Sequence, residues 1–207
     1  MIDARILPLQ RAALQPAARM LSRMGISADA ISLGGFFIGL LAFAALASGN
    51  WTIALALILA NRLLDGLDGA VARINGPTDR GAFLDITLDF VFYALVPLGF
   101  AVHDPALHAL PAAVLIVSFV GTGSSFLAFS IIAAKQGKQA AAFPAKGIYY
   151  AGGMAEGFET IAVFVAMCLL PQSFSVIALV FAAVCGLTTL LRWHQGWVVF
   201  ATKQDRA

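Results

Sequence analysis

Charge is what this chain has least of. Asp, Glu, Lys and Arg make up 12% of its 207 residues, against 60% hydrophobic residues. A soluble domain usually carries about 25% charged residues. That shortage excludes a water-soluble globule and points to an integral membrane protein. Period-2 alternation is also missing, which excludes a transmembrane β-barrel and leaves helices. Cysteine is scarce: Cys168 and Cys185 both fall in apolar runs. They read as buried hydrophobes and exclude a disulfide framework or a thiolate zinc site. No internal repeat joins the two halves, which argues against an inverted-repeat transporter. The first 25 residues carry four arginines but no continuous apolar core, so no cleavable signal is expected. Nothing in the pattern calls for a nucleic-acid partner.

What is present is a series of apolar runs of about 20 residues, each long enough to cross a bilayer. The runs 31–48, 51–73, 81–102, 111–134, 148–170 and 173–191 make six spans. They leave no room for a second domain, so 1–207 is read as one all-α membrane domain. Ahead of them, 1–26 reads as an amphipathic helix lying on the bilayer. Leu14, Met20, Leu21 and Met24 share one face at 100° per residue, with Arg19 and Arg23 opposite. Pro16 is expected to kink or divide it. Gly34, Gly35 and Gly39 are expected to permit close helix packing in the first span. Basic residues occur in 1–26, in the loop 74–80, in the loop 135–147 and in the tail 192–207, while the intervening loops carry none. By the positive-inside rule both termini are cytoplasmic. The loop 102–110, with His103 and His108, then lies on the far side and is expected to be solvated.

One stretch contradicts the apolar setting. Five of the eleven acidic residues (Asp65, Asp68, Asp79, Asp85 and Asp89) lie within 65–89, together with Arg73 and Arg80. An Asp or Arg at a membrane helix centre costs about 2.5–3.5 kcal/mol on the translocon scale. Asp65 and Asp68 are three apart on the second span, and Asp85 and Asp89 are four apart on the third. Each pair therefore shares a helix face. With the two spans side by side, all four carboxylates converge on one cytoplasmic-edge pocket. Carboxylates so close must protonate or hold cations. Oxygen-only donors favour Mg²⁺, Mn²⁺ or Ca²⁺, and two such ions bridged by carboxylates suit phosphoryl chemistry. Gly66, Gly69 and Gly81 bare the backbone beside the aspartates, and Arg73 offers a planar fork to phosphate. The bland alternative is self-neutralising pairs, Asp65 with Arg73 and Asp85 with Arg80.

These residues resemble the CDP-alcohol phosphotransferases, whose motif is D-x-x-D-G-x-x-A-R followed by G-x-x-x-D-x-x-x-D. The first half is filled by Asp65, Asp68, Gly69, Ala72 and Arg73, the second by Gly81, Asp85 and Asp89. The spacer 74–80 is one residue shorter than is usual. The helix entry Ala28-Asp29-Ala30-Ile31-Ser32 lacks the family's proline and asparagine. The resemblance implies transfer of a substituted phosphate from a CDP-linked donor to an alcohol, with release of CMP. By carry-over, Asp65, Asp68, Asp85 and Asp89 would hold two divalent ions, Mg²⁺ or Mn²⁺. Gly69 and Arg73 would contact CDP, with Gly66, Ala72 and Gly81 shaping its wall, and Asp89 would be the general base. A homodimer in the lipid bilayer, in a bacterial inner membrane, is implied as well.

A pocket at the membrane edge suits a donor with a lipid tail, so CDP-diacylglycerol is the first expectation, with a small alcohol as acceptor. A soluble CDP-alcohol with a lipid alcohol such as diacylglycerol is the alternative within the family. A cation transporter using the aspartates is the alternative outside it. Arg80, Lys135, Lys138, Lys146 and Arg192 are candidate partners for a phosphorylated acceptor, and Glu156 and Glu159 for a cationic or polyhydroxyl one.

Overall fold

The computed structural model describes residues 3–136 and 157–201, with side chains described from Arg11 onward. Among these residues seven α-helices follow one another: α1 (Asp3–Arg23), α2 (Ala28–Ala47), α3 (Trp51–Asn75), α4 (Asp79–His103), α5 (Pro105–Lys135), α6 (Gly157–Leu169) and α7 (Phe174–Phe200). No strand occurs among the described residues. Among the described residues, four stretches are long and apolar enough to cross a membrane: α2, α4, α5 and the run Pro171–Phe200 that contains α7. The charges from Arg62 to Arg73 keep α3 out of that set, and α6 is described for only 13 residues.

The helix boundaries follow local chemistry. Ser27 caps α2, its side chain accepting from the Ala30 amide at 3.2 Å. Thr78 caps α4 by accepting from the Gly81 amide at 3.0 Å, so α4 begins at Asp79 and the expected loop 74–80 shrinks to 76–78. Gly76 makes that short turn with φ of 96°, a conformation that L side chains avoid. On the opposite end, Asp104 accepts from the Leu107 amide at 3.1 Å, and Pro105 occupies the first helical turn. Proline is tolerated there because the N–H it lacks would have no helical partner. The expected loop 102–110 is therefore a single-residue break, and helix continues through Pro111.

That break also corrects the reading of His108, while His103 is exposed as expected. His108 is buried, 3.0 Å from Ser175 Oγ and edge-on to Phe174. His103 packs edge-on against Trp51 at 4.8 Å between centroids. The short α4–α5 turn holds both rings against an aromatic stack of Trp51, Phe100 and Phe174. At the N-terminus, α1 is not divided at Pro16. It packs on α3, with Ala18 fully buried beside Leu67 and Val71.

One large core joins α2 to α7 around Phe92, Phe100, Phe164 and Phe174. Lipid removes most of the hydrophobic drive between spans, so close contact must come from small residues. Gly35 faces Leu64, Gly39 faces Phe92 and Gly99 faces Leu46, but Gly34 points into open space and plays no packing role. A Cβ on Gly99 would stand 2.6 Å from Leu46 Cβ. Gly99→Ala must part α2 from α4 and is expected to cost about 1–3 kcal/mol. Thermal unfolding in detergent checks this: a lowered midpoint for Gly99→Ala, and none for the control Gly34→Ala. The expected side-by-side pairing of α3 with α4 does not occur. Instead α2 lies against both, and α3 and α4 make no extended contact. Their charged faces look at each other across a gap floored by α2.

Candidate active site

That gap is the pocket. Its wall includes Ser32 and Gly35 from α2, Asn61, Arg62, Asp65 and Asp68 from α3, and Asp85, Asp89 and Phe92 from α4. Carboxylate oxygens of Asp65, Asp68 and Asp85 all lie within 4.8 Å of one another. Asp68 is buried at 5% exposure, and the Ser32 hydroxyl donates to its Oδ2 at 2.6 Å. Asp89 sits in the same pocket but outside the three-carboxylate set. Its Oδ1 accepts from Arg62 Nη2 at 2.8 Å.

Arg62 was not among the residues singled out from the sequence, yet it is the pocket's central cation. Nη1 lies 3.6 Å from Asp65 Oδ2 and 3.4 Å from the Tyr93 hydroxyl. Nε donates to Asn61 Oδ1 at 2.7 Å, and Asn61 Nδ2 in turn donates to the Gly35 carbonyl at 2.7 Å. The guanidinium carbon stands 4.4 Å from the centre of the Phe92 ring. Salt bridges, hydrogen bonds and a cation–π contact thus hold one side chain. The signal for it was in the sequence. Arg62 stands three residues before Asp65, on the same helix face, inside an apolar run.

The self-neutralising pairs of the bland alternative do not form. Asp65 lies against Arg62, not Arg73. Arg80 pairs with Asp29 Oδ2 at 2.6 Å, its own side chain 79% exposed. Asp29 occupies the position where the family entry motif carries asparagine. Gly81 is packed beside it, with a Cβ there falling 3.2 Å from Asp29 Oδ1. Gly66, Gly69, Ala72 and Arg73 do not line the three-carboxylate pocket. They continue α3 from it towards the helix C-terminus. A Cβ on Gly69 would lie 3.3 Å from Nη1 at the flexible end of Arg73.

The acceptor candidates fare differently. Lys135 is exposed in the last turn of α5, and Glu159 is half-buried in the first turn of α6; neither lines the pocket. Lys138, Lys146 and Glu156 lie outside the described residues. Arg192 was expected to open a polar tail. Instead α7 runs on to Phe200, and Arg192 is buried against α5, donating to the Thr122 carbonyl at 2.7 Å.

Comparison with known proteins agrees with this geometry. The family model described as CDP-alcohol phosphatidyltransferase matches residues 26–191. The chain therefore belongs to that family: it is an integral membrane transferase of substituted phosphate groups. It is 47% identical over 204 residues to the inner membrane protein YnjF of Escherichia coli (strain K12), covering 99% of both chains. It is 40% identical over 93 residues to the archaetidylinositol phosphate synthase of Methanothermobacter thermautotrophicus, covering 44% of this chain and 46% of that one. Among solved structures, it resembles the phosphatidylinositol phosphate synthase of Mycobacterium tuberculosis. The form with CDP-DAG bound superposes with a TM-score of 0.72 at 24% identity, covering 89% of this chain and 93% of that one. The form with manganese and citrate gives 0.67 at 25% identity, covering 89% and 88%.

Proposed function

We propose that this protein transfers a phosphatidyl group from CDP-diacylglycerol to a small alcohol, releasing CMP, in a reaction that needs a divalent metal. The observation that carries the reading is the convergence of Asp65, Asp68 and Asp85 oxygens within 4.8 Å, with Asp89 in the same pocket. Three hard oxygen donors so close suit Mg²⁺ or Mn²⁺ and repel one another without a cation. A related fold crystallised with manganese, and another form of it with CDP-DAG, support both halves of the reading. A divalent ion held by these carboxylates would offset charge on the diphosphate and on the departing CMP.

The chain's own residues then have distinct tasks. The face from Gly66 through Gly69 and Ala72 to Arg73, with Gly81 opposite, takes the CDP moiety. Asp89 receives the proton of the acceptor hydroxyl. The acceptor oxygen forms a bond to the phosphorus that carries the diacylglycerol. The bond from that phosphorus to the bridging oxygen breaks, and CMP leaves with the oxygen. Helices α2 to α7 are taken as six spans, with both termini and the pocket at the cytoplasmic face of a bacterial inner membrane. The alternation of basic and uncharged loops supports that orientation. The family resemblance supports a homodimer.

The test is CMP release by purified protein in detergent, with CDP-diacylglycerol and a panel of inositol phosphate, glycerol 3-phosphate and serine. Turnover is expected with one acceptor and is expected to vanish with EDTA and return with Mn²⁺ or Mg²⁺. Turnover that survives EDTA refutes the metal pocket. Release of CMP only from a soluble CDP-alcohol with diacylglycerol as acceptor would reverse the assignment of donor and acceptor.

A further inference from the structure

We propose that Arg11 of α1 and Arg73 of α3 together hold the diphosphate of the CDP-linked donor, so that the amphipathic helix is a wall of the donor site as well as a membrane anchor. The inference deepens the reading above and rests on it.

The arginines of α1 divide between its faces. Arg11, Leu14, Ala18 and Leu21 recur at spacings of three and four residues and share one face. Leu14, Ala18 and Leu21 pack in one cluster with Leu67, Ala70 and Val71 of α3. The Ser22 hydroxyl ties the end of α1 to Asn75 Oδ1 at 2.5 Å. Arg19 and Arg23 are exposed on the other side. Arg11 is half-buried, and its Nε is shut off from solvent with no hydrogen-bond partner among the described residues. A buried donor left unmet is costly.

A second guanidinium faces the same place. The charges of Arg11 and Arg73 act on each other. Among the described residues neither makes an ion pair, whereas Arg62 and Arg80 both do. Like charges held together repel unless an anion joins them, and the packing of α1 on α3 holds these two there. Arg73 folds back along its own helix, with Nη1 3.3 Å from the point that a Cβ on Gly69 would occupy. Gly69 follows Asp68, and the Asp68 charge reaches Arg73 as well. The two arginines therefore stand at the end of the carboxylate pocket, on the wall assigned to CDP. A phosphate chain that starts on a metal at Asp68 runs next into the guanidinium pair. Each guanidinium offers a planar fork to phosphate oxygens.

The test is CDP binding. Full-length protein in uncharged detergent, at fixed Mn²⁺, is titrated with CDP in a calorimeter. Arg11→Gln is expected to weaken binding about 10–100-fold, the usual effect of losing charged hydrogen bonds, and to raise the KM for CDP-diacylglycerol. Arg11→Lys is expected to bind less tightly than wild type, because lysine lacks the fork. Arg19→Gln is expected to bind as wild type does. Mn²⁺ uptake and the thermal midpoint of Arg11→Gln are expected to stay at wild-type values; a loss of either would make Arg11 a packing residue and overturn the proposal. Equal CDP affinity in Arg11→Gln and wild type overturns it and leaves the reading above standing. An equal loss in Arg19→Gln overturns it too, because general surface charge would then be the cause. If phosphatidylglycerol raises the midpoint of wild type but not of Arg11→Gln, while their CDP affinities are equal, the pair holds a bulk lipid headgroup and the donor assignment falls. Wild type that binds no CDP overturns both this inference and the reading beneath it. If Arg11→Gln does not fold, Arg11→Lys decides, and wild-type affinity there overturns the proposal.

Discussion

Asp89→Asn is expected to lower CMP release about 10²–10⁴-fold, the range that a lost general base usually removes. The substitution is close to isosteric. An asparagine oxygen can still accept from Arg62 Nη2, which now donates to Asp89 Oδ1 at 2.8 Å. The helix α4 has no reason to move, because Asp89 is half-buried at the pocket wall and not part of the packed core. What goes is an oxygen able to receive the hydroxyl proton. The measurement has two parts: CMP release with the preferred acceptor, and Mn²⁺ uptake by the same preparation. Retained Mn²⁺ with lost turnover is the signature of a base that is not a metal ligand. Loss of both would make Asp89 a ligand first. Turnover near that of wild type would sink the assignment.

The difference between those outcomes was only partly legible in the sequence. Spacings of three and four residues place Asp65 with Asp68 and Asp85 with Asp89 on common faces, because helix geometry permits nothing else. Two faces joined by a short loop then had to approach each other. How they approach was not legible. Short connections usually mean direct antiparallel neighbours, but α2 inserts against both α3 and α4. Its bare positions, Gly35 and Gly39, come within reach of Leu64 and Phe92 only once the three helices are assembled. The insertion holds the charged faces apart and makes room for a ligand.

Arg62 escaped for a related reason. The acidic cluster starts at Asp65, and a lone arginine in an apolar run resembles a boundary. Its role depends on Asp89, 27 residues later, and on rings from another helix. The cap at Asp104 is hidden in the sequence because histidine, aspartate and proline together look like a loop. A capping aspartate followed by proline at the first helical turn is equally a helix start. Arg192 was read as tail because charge after an apolar run usually marks the membrane edge. In the structure its guanidinium reaches back to the Thr122 carbonyl.

The second large effect concerns Asp68, and it separates a ligand from the group that orients it. Asp68→Asn is expected to abolish tight Mn²⁺ binding and, with it, CMP release. The residue is 5% exposed and contributes one of three converging oxygens. An amide offers a neutral oxygen in place of a charged one, and a hard dication held by few charges is lost first. Ser32 gives the graded comparison. Its hydroxyl donates to Asp68 Oδ2 at 2.6 Å and fixes which way the carboxylate turns. Removing such an outer partner typically costs 10–100-fold in metal affinity or activity. Ser32→Ala is therefore expected to need roughly that much more Mn²⁺ for half-maximal turnover, with kcat restored at saturating metal. Asp68→Asn should not be rescued at any metal concentration. If Ser32→Ala shows wild-type metal dependence, the 2.6 Å contact does not act on the site. If added Mn²⁺ rescues Asp68→Asn, Asp65 and Asp85 suffice without it. The entry to α2 then matters for more than packing. Ser32 ends the entry segment in which Ala28 and Asp29 depart from the pattern this chain resembles, so the donor to Asp68 sits beside one of the two places where that pattern changes.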